Sequence, residues 1–167
     1  GLCSNAGRSD SQARFLAGTM LMNMAAGASV GGVYSYQHVS NLTCLLDGFI
    51  TPNGMAFSPD GRTMYLSDSH PSVQQVWAFD YDIETGKPSN RRPFIHMNPL
   101  PGRPDGDYDD ADGWFFSRCN SAALTHRFTP RVNLDCPPAG TVQDTAHDAC
   151  GRASRRTPRA TPLSHHG

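Results

Sequence analysis

Thr51 to Asp68 reads TPNGMAFSPDGRTMYLSD, and its pattern returns on both sides at nearly constant spacing. Asn53 and Gly54 lead into the apolar Met55-Ala56-Phe57, an acidic turn follows at Ser58-Pro59-Asp60-Gly61, Arg62 stands nine places after Asn53, and Met64-Tyr65-Leu66 is apolar again. Forty-eight residues upstream, Asn5 opens a matching unit, with its turn at Asp10-Ser11-Gln12-Ala13, Arg14 nine places on, and Phe15-Leu16-Ala17 beyond. Fifty-two residues downstream, Asp105-Gly106 does the same, through Asp110-Ala111-Asp112-Gly113 to Trp114 and Phe115-Phe116. Asn5, Asn53 and Asp105 therefore share one repeat position.

A period of about 40 to 50 residues with turn residues at fixed offsets is the sequence form of β-propeller blades. Each blade is a four-stranded antiparallel sheet standing around a central channel, so one repeat position maps to one place about that axis. Anchors at the start of the innermost strands would converge there, and amide and carboxylate oxygens converging in this way suit a hard cation such as calcium. The fold expected is all-β: a partial propeller of about three blades over residues 1–130, followed by a disordered tail over 131–167.

Local patterns agree. RFLAGT (Arg14 to Thr19) alternates, with Phe15 and Ala17 on one face and Leu16 and Gly18 on the other. Met20, Met22 and Met24 lie in a stretch without a clean period and are expected in core or loop rather than in a pocket wall. Val33 to Tyr36 should pair with Leu42 to Leu46 across a polar turn, and Val76 to Phe79 is a further alternating strand. Asp82 to Lys87 reads as a hairpin turn with Gly86 free to take positive φ, returning along Arg91 to Ile95, where Pro93 marks an outer edge. His126-Arg127-Phe128 is the third unit's counterpart of Trp77-Ala78-Phe79.

A net charge of −1 with 17% charged residues gives no electrostatic case for nucleic acid or an anionic membrane. No apolar run approaches the roughly 18 to 20 residues of a membrane span, and no signal-peptide pattern opens the chain, so a soluble, cytoplasmic protein is expected. Cys3, Cys44, Cys119, Cys136 and Cys150 are odd in number and contain no C-x-x-C pair, and they read as reduced thiols. Asn41-Leu42-Thr43 matches a glycosylation acceptor, a triplet common by chance.

After Pro130 the character changes. Asp135 to Gly167 carries only Val142 and Leu163 as large aliphatics, alongside Arg152, Arg155, Arg156 and Arg159. Ordering costs about 1 to 2 kcal/mol per residue, whereas burying two aliphatic side chains returns about 3 to 6 kcal/mol in all, so disorder is expected. The chain opens at Gly1 inside a repeat unit, and the expectation is a piece of a larger propeller whose tail is translated out of frame or from a misassembled gene. Coding DNA with no frame that restores propeller-like sequence after Pro130 would sink that reading of the tail.

RFLAGTM (Arg14 to Met20), PNGMAFSPDGRTMYLSDS (Pro52 to Ser69), VWAFDYDIETG (Val76 to Gly86), RPDG (Arg103 to Gly106) and DADG (Asp110 to Gly113) together strongly resemble the regucalcin/gluconolactonase family, also called senescence marker protein, over about residues 5 to 130. That resemblance implies a six-bladed propeller that hydrolyses sugar lactones with one divalent metal (calcium, zinc, manganese or iron). It implies Asn53 and Asp105 as metal ligands, with Asp105 also the catalytic acid/base, and Asn5 and Asn23 as substrate-binding residues. The family's metal-binding Glu would lie upstream of Gly1. Cys3 stands where the family commonly has Arg, and Ala6 where it has Asp.

The plainer reading of Pro-Asn-Gly and Pro-Asp-Gly is a turn entering a strand, and shared register across three units weighs against it. For Asp60, Asp110 and Asp112 the plainer reading stands, since acidic turn residues cap their own backbone. Arg62 reads as a solvated turn residue, His70 as a solvent-exposed loop histidine, and Trp77 and Phe79 as core between blades. His147, His165 and His166 carry no ligand spacing. The partner expected is a small-molecule sugar lactone. The alternatives are a non-catalytic binding or scaffolding propeller segment and a related propeller arylesterase, and the chain by itself is expected to be inactive.

Overall fold

The computed structural model describes residues 1–36, 42–109, 111, 113, 115–120 and 124–128. Three antiparallel sheets follow one another along the chain, each joining neighbouring strands in sequence order. The first holds β1 (Leu2–Ser9), β2 (Phe15–Leu21), β3 (Gly31–Tyr36) and β4 (Leu42–Phe49), and the second β5 (Pro52–Phe57), β6 (Thr63–Asp68), β7 (Gln75–Asp82) and β8 (Lys87–His96). The third holds β9 (Arg103–Asp109), β10 (Phe115–Asn120) and β11 (Leu124–Phe128). A 3-10 turn at Met24–Ala26 interrupts the strands, and among the described residues no helix is long and apolar enough to cross a membrane.

The second sheet shows why Thr51 to Asp68 is so apolar. Successive strand residues point to opposite faces, and this sheet is covered on both. Met55, Met64, Leu66, Phe79 and Tyr81 pack with Leu16, Val33 and Phe49 of the first sheet, and Trp77 lies against the same cluster. Ala56, Tyr65, Val76, Ala78, Phe94 and Ile95 pack the other way, with Phe115, Cys119 and Phe128 of the third sheet. The guanidinium of Arg91 sits over both the Phe49 ring (4.6 Å) and the Trp77 ring (4.0 Å), tying the outer strands of two sheets together.

The turns follow their chemistry. Asp60 accepts the N–H of Arg62 (3.0 Å) and the Ser58 hydroxyl (2.6 Å), and Asp82 caps the N–H of Glu84 (2.9 Å) in the hairpin that Gly86 closes at φ 69°. Pro93 lies opposite Trp77 on the outer strand, beside a shift of register. Asp10 is buried, not merely a cap: it pairs with Arg14 at 2.7 Å and accepts from the Tyr81 hydroxyl at 2.7 Å. Arg14 in turn donates to the carbonyls of Glu84 (3.0 Å) and Ile83, binding the first sheet to the β7–β8 hairpin.

Several expectations fall outside the described residues: the roles of Asp110, Asp112 and Trp114, the Asn41 acceptor, Cys136, Cys150, His147, His165, His166, and the boundary at residue 130 with all that follows it.

Candidate functional site

The three anchors lie on β1, β5 and β9, the first strand of each sheet, and each sits where pairing slips by a residue. Ser4 opposes Thr19 and Gly7 opposes Ala17, so Asn5 and Ala6 together face Gly18. In β5, Asn53 opposes Ser67 and Met55 opposes Leu66, leaving Gly54 as the extra residue at φ 38°. In β9, Pro104 opposes Cys119 and Gly106 opposes Arg118, and Asp105 is the extra residue. A bulge bends its strand and re-aims side chains. Three bulges at one repeat position turn three polar side chains toward one place.

There, Asn53 Nδ2 donates to Asp105 Oδ1 at 2.7 Å and to Ser69 Oγ at 3.4 Å, while its Oδ1 accepts the N–H of Gly54 at 3.0 Å. Asn5 Nδ2 donates to the Pro52 carbonyl at 3.0 Å, fastening β1 to the start of β5. The side chains border a cleft of about 130 Å³ that Thr51, Ser69, Arg103, Met20 and Met24 complete. Buried Asp68 accepts the N–H groups of Ile50 (2.9 Å) and Thr51 (3.1 Å), fixing the backbone that enters β5. The Thr51 hydroxyl is buried and makes no hydrogen bond with the protein.

Asn5, Asn53 and Asp105 are thus brought together, and Asn23 is not. Asn23 is exposed at the start of the 3-10 turn, makes no side-chain cap, and does not border the cleft. Met20, near the end of β2, and Met24, in the 3-10 turn that follows, both border the cleft, while Met22 is out in solvent. His70 is half-buried, its Nδ1 2.7 Å from Ser72 Oγ. Thr51 and Arg103 escaped sequence reasoning, although each stands two residues before an anchor, as Cys3 does before Asn5, and alternate strand residues share a face.

Asp107, two residues past Asp105, is the other carboxyl near the site. Burial pushes it up to about 6, against the lowering influence of the Ser117 and Ser67 hydroxyls. Ser67 donates to its Oδ2, and the absence of a side chain at Gly54 leaves the carboxyl its room. Arg8 crosses from β1 to the carbonyls of Asp107 (3.3 Å) and Met55 (3.4 Å), so the three first strands are bonded to one another.

The donors are all oxygens or amides of the kind a hard divalent cation takes, yet by themselves they do not fit one. One carboxylate borders the cleft, Asn53 turns its N–H to that carboxylate, and its oxygen is engaged by Gly54. Among the described residues, no group of three or more His, Cys, Asp or Glu side chains could hold a metal ion.

Comparison with known proteins agrees with this architecture. The family described as SMP-30/Gluconolactonase/LRE-like region matches residues 1–136. Regucalcin of Danio rerio is 35% identical over 128 residues, covering 77% of this chain and 43% of its own. The solved structure of regucalcin from Agrobacterium tumefaciens, described as a calcium-binding protein, superposes with a TM-score of 0.68 at 29% identity, covering 77% of this chain and 42% of that one. A gluconolactonase from Xanthomonas campestris gives a TM-score of 0.62 at 25% identity, covering 76% and 44%. The chain spans less than half the length of each.

Proposed function

We propose, from the premise that this chain belongs to the SMP-30/gluconolactonase/LRE-like family, that it furnishes part of the active site of a sugar-lactone hydrolase. The observation that carries this reading is the 2.7 Å contact of Asn53 with Asp105 beside Asn5, at matching bulges of three successive sheets.

Lactone hydrolysis needs a base for the attacking water, a partner for the charge that gathers on the carbonyl oxygen, and groups that hold a polyhydroxylated ring. Asp105 takes the proton from water, held in position by the Asn53 amide. Arg103, on the same strand and the same cleft, faces the developing oxyanion. Asn5 and Ser69 both donate and accept, as sugar hydroxyls require, and Met20 and Met24 offer an apolar wall to the ring. A family-type divalent ion (calcium, zinc, manganese or iron) would need acidic ligands beyond the described residues, and the 167-residue chain, which spans less than half the length of its relatives, is expected to be inactive alone. Free thiols at Cys3, Cys44 and Cys119 suit a cytoplasmic setting for the whole protein.

The test is a chimera in which residues 1–128 replace the matching part of the Xanthomonas gluconolactonase. It should open gluconolactone, and Asp105→Asn should lower kcat at least about 100-fold with the circular-dichroism spectrum unchanged. A folded chimera indifferent to Asp105→Asn overturns the assignment, and one that prefers an aryl ester redirects it to the arylesterase reading.

A further inference from the structure

The core between the second and third sheets holds a row of buried polar side chains on the third sheet. Two residues past Asn53 stands Met55, buried; two residues past Asp105 stands Asp107, equally buried. Ser117 on β10 lies opposite Asp107, and His126 on β11 lies opposite Ser117. Directly opposed residues share a face of the sheet. The three therefore run side by side across it, at 5%, 0% and 1% exposure, between the Phe115–Phe128 pair and Cys119.

Each of them leaves one polar atom without a hydrogen bond to the protein: Asp107 Oδ1, Ser117 Oγ and His126 Nδ1. Ser117 is near enough for the carboxyl to feel its hydroxyl, but not in bonding geometry. The donor and acceptor types can be assigned one by one. Asp107 Oδ2 accepts from Ser67, so Oδ1 remains as an acceptor. His126 Nε2 is 3.1 Å from the Pro101 carbonyl, which can only accept, so Nε2 carries a proton, and with that single ring proton Nδ1 presents a lone pair. Ser117 contributes one hydroxyl proton, enough for one of the two acceptors.

The partner that completes the row must donate twice and accept once. We infer that Asp107, Ser117 and His126 form a binding site for one ordered water, which donates to Asp107 Oδ1 and His126 Nδ1 and accepts from the Ser117 hydroxyl. Three bonds is the usual complement of a buried water, and leaving three buried polar atoms unpaired costs more than immobilising one molecule. A metal ion is disfavoured, because the described residues make no cluster able to hold one. The water joins all three strands of the third sheet directly behind the bulge that aims Asp105.

Crystallography of the full chain at high resolution should show a single peak about 2.7 to 3.1 Å from all three atoms. No peak, or the three side chains bonded directly to one another, overturns the inference; so does a peak at the roughly 2.0 to 2.4 Å of metal coordination. In solution, the His126 ring should give a nuclear Overhauser cross-peak to water. That peak should survive Ser117→Ala, which removes the hydroxyl proton of the row itself, and should be lost in D107M. Its absence from the parent chain, its loss in Ser117→Ala, or its persistence in D107M sinks the proposal.

Discussion

Asp10 owes its ionisation to its neighbours. Burial acts to raise its pKa, but hydrogen bonds from Tyr81, from the Arg14 guanidinium and from the N–H groups of Arg14 and Gln12 together hold it below the ordinary 3.8. A carboxylate depressed in the native state lends stability that is complete above its unfolded value and is lost as pH falls through the native one. The part of the urea midpoint that depends on Asp10, read as the parent chain minus Asp10→Asn, should therefore be flat near neutrality and decline below about pH 4. Arg14→Ala is the harsher change. It leaves the buried carboxylate unpaired and strips the donor from the Ile83 and Glu84 carbonyls, so a loss of about 3 kcal/mol or more is expected from urea unfolding at pH 7.

Among the elements, the bulges decide what the site is, and they are the part the sequence conceals. The recurrence of Asn5, Asn53 and Asp105 in one register was visible because turns repeat at fixed offsets, and the sheets were visible because the middle one, covered on both faces, reads as unbroken apolar runs such as MYL. A one-residue slip in pairing leaves no compositional mark. Arg103 and Thr51 consequently carry no sequence signal as cleft residues, and Asn23 does not border the cleft. Gly54 is the exception, since its need for φ 38° and for contact with the Asp107 carboxyl explains why no larger residue follows Asn53. Gly54→Ala should lower stability by about 2 kcal/mol or more, read from the urea midpoint, because positive φ strain and the crowding of Asp107 act together. A midpoint unchanged by the substitution would mean that β5 does not bulge here.

For the molecule as a whole, the first sheet presents two unlike faces. One, with Leu16 and Val33, is sealed against the second sheet. On the other, Phe15 lies opposite Tyr36 and Tyr36 opposite Leu42, so a row of large apolar side chains crosses three strands at 45%, 42% and 67% exposure. Contiguous apolar surface of this kind is rare on a monomer left in water and marks a face that something covers. In a propeller the neighbouring blade does so, and the relatives that this chain matches are more than twice the length of the matched part. The 167-residue polypeptide alone should therefore self-associate, its sedimentation coefficient rising with concentration. Phe15→Lys combined with Leu42→Lys should return it to a single slow species without disturbing Leu16 or Val33, because the two faces alternate along each strand. Concentration-independent sedimentation of the parent chain would show that the exposed row does not drive association and that this face is stable in water as it stands.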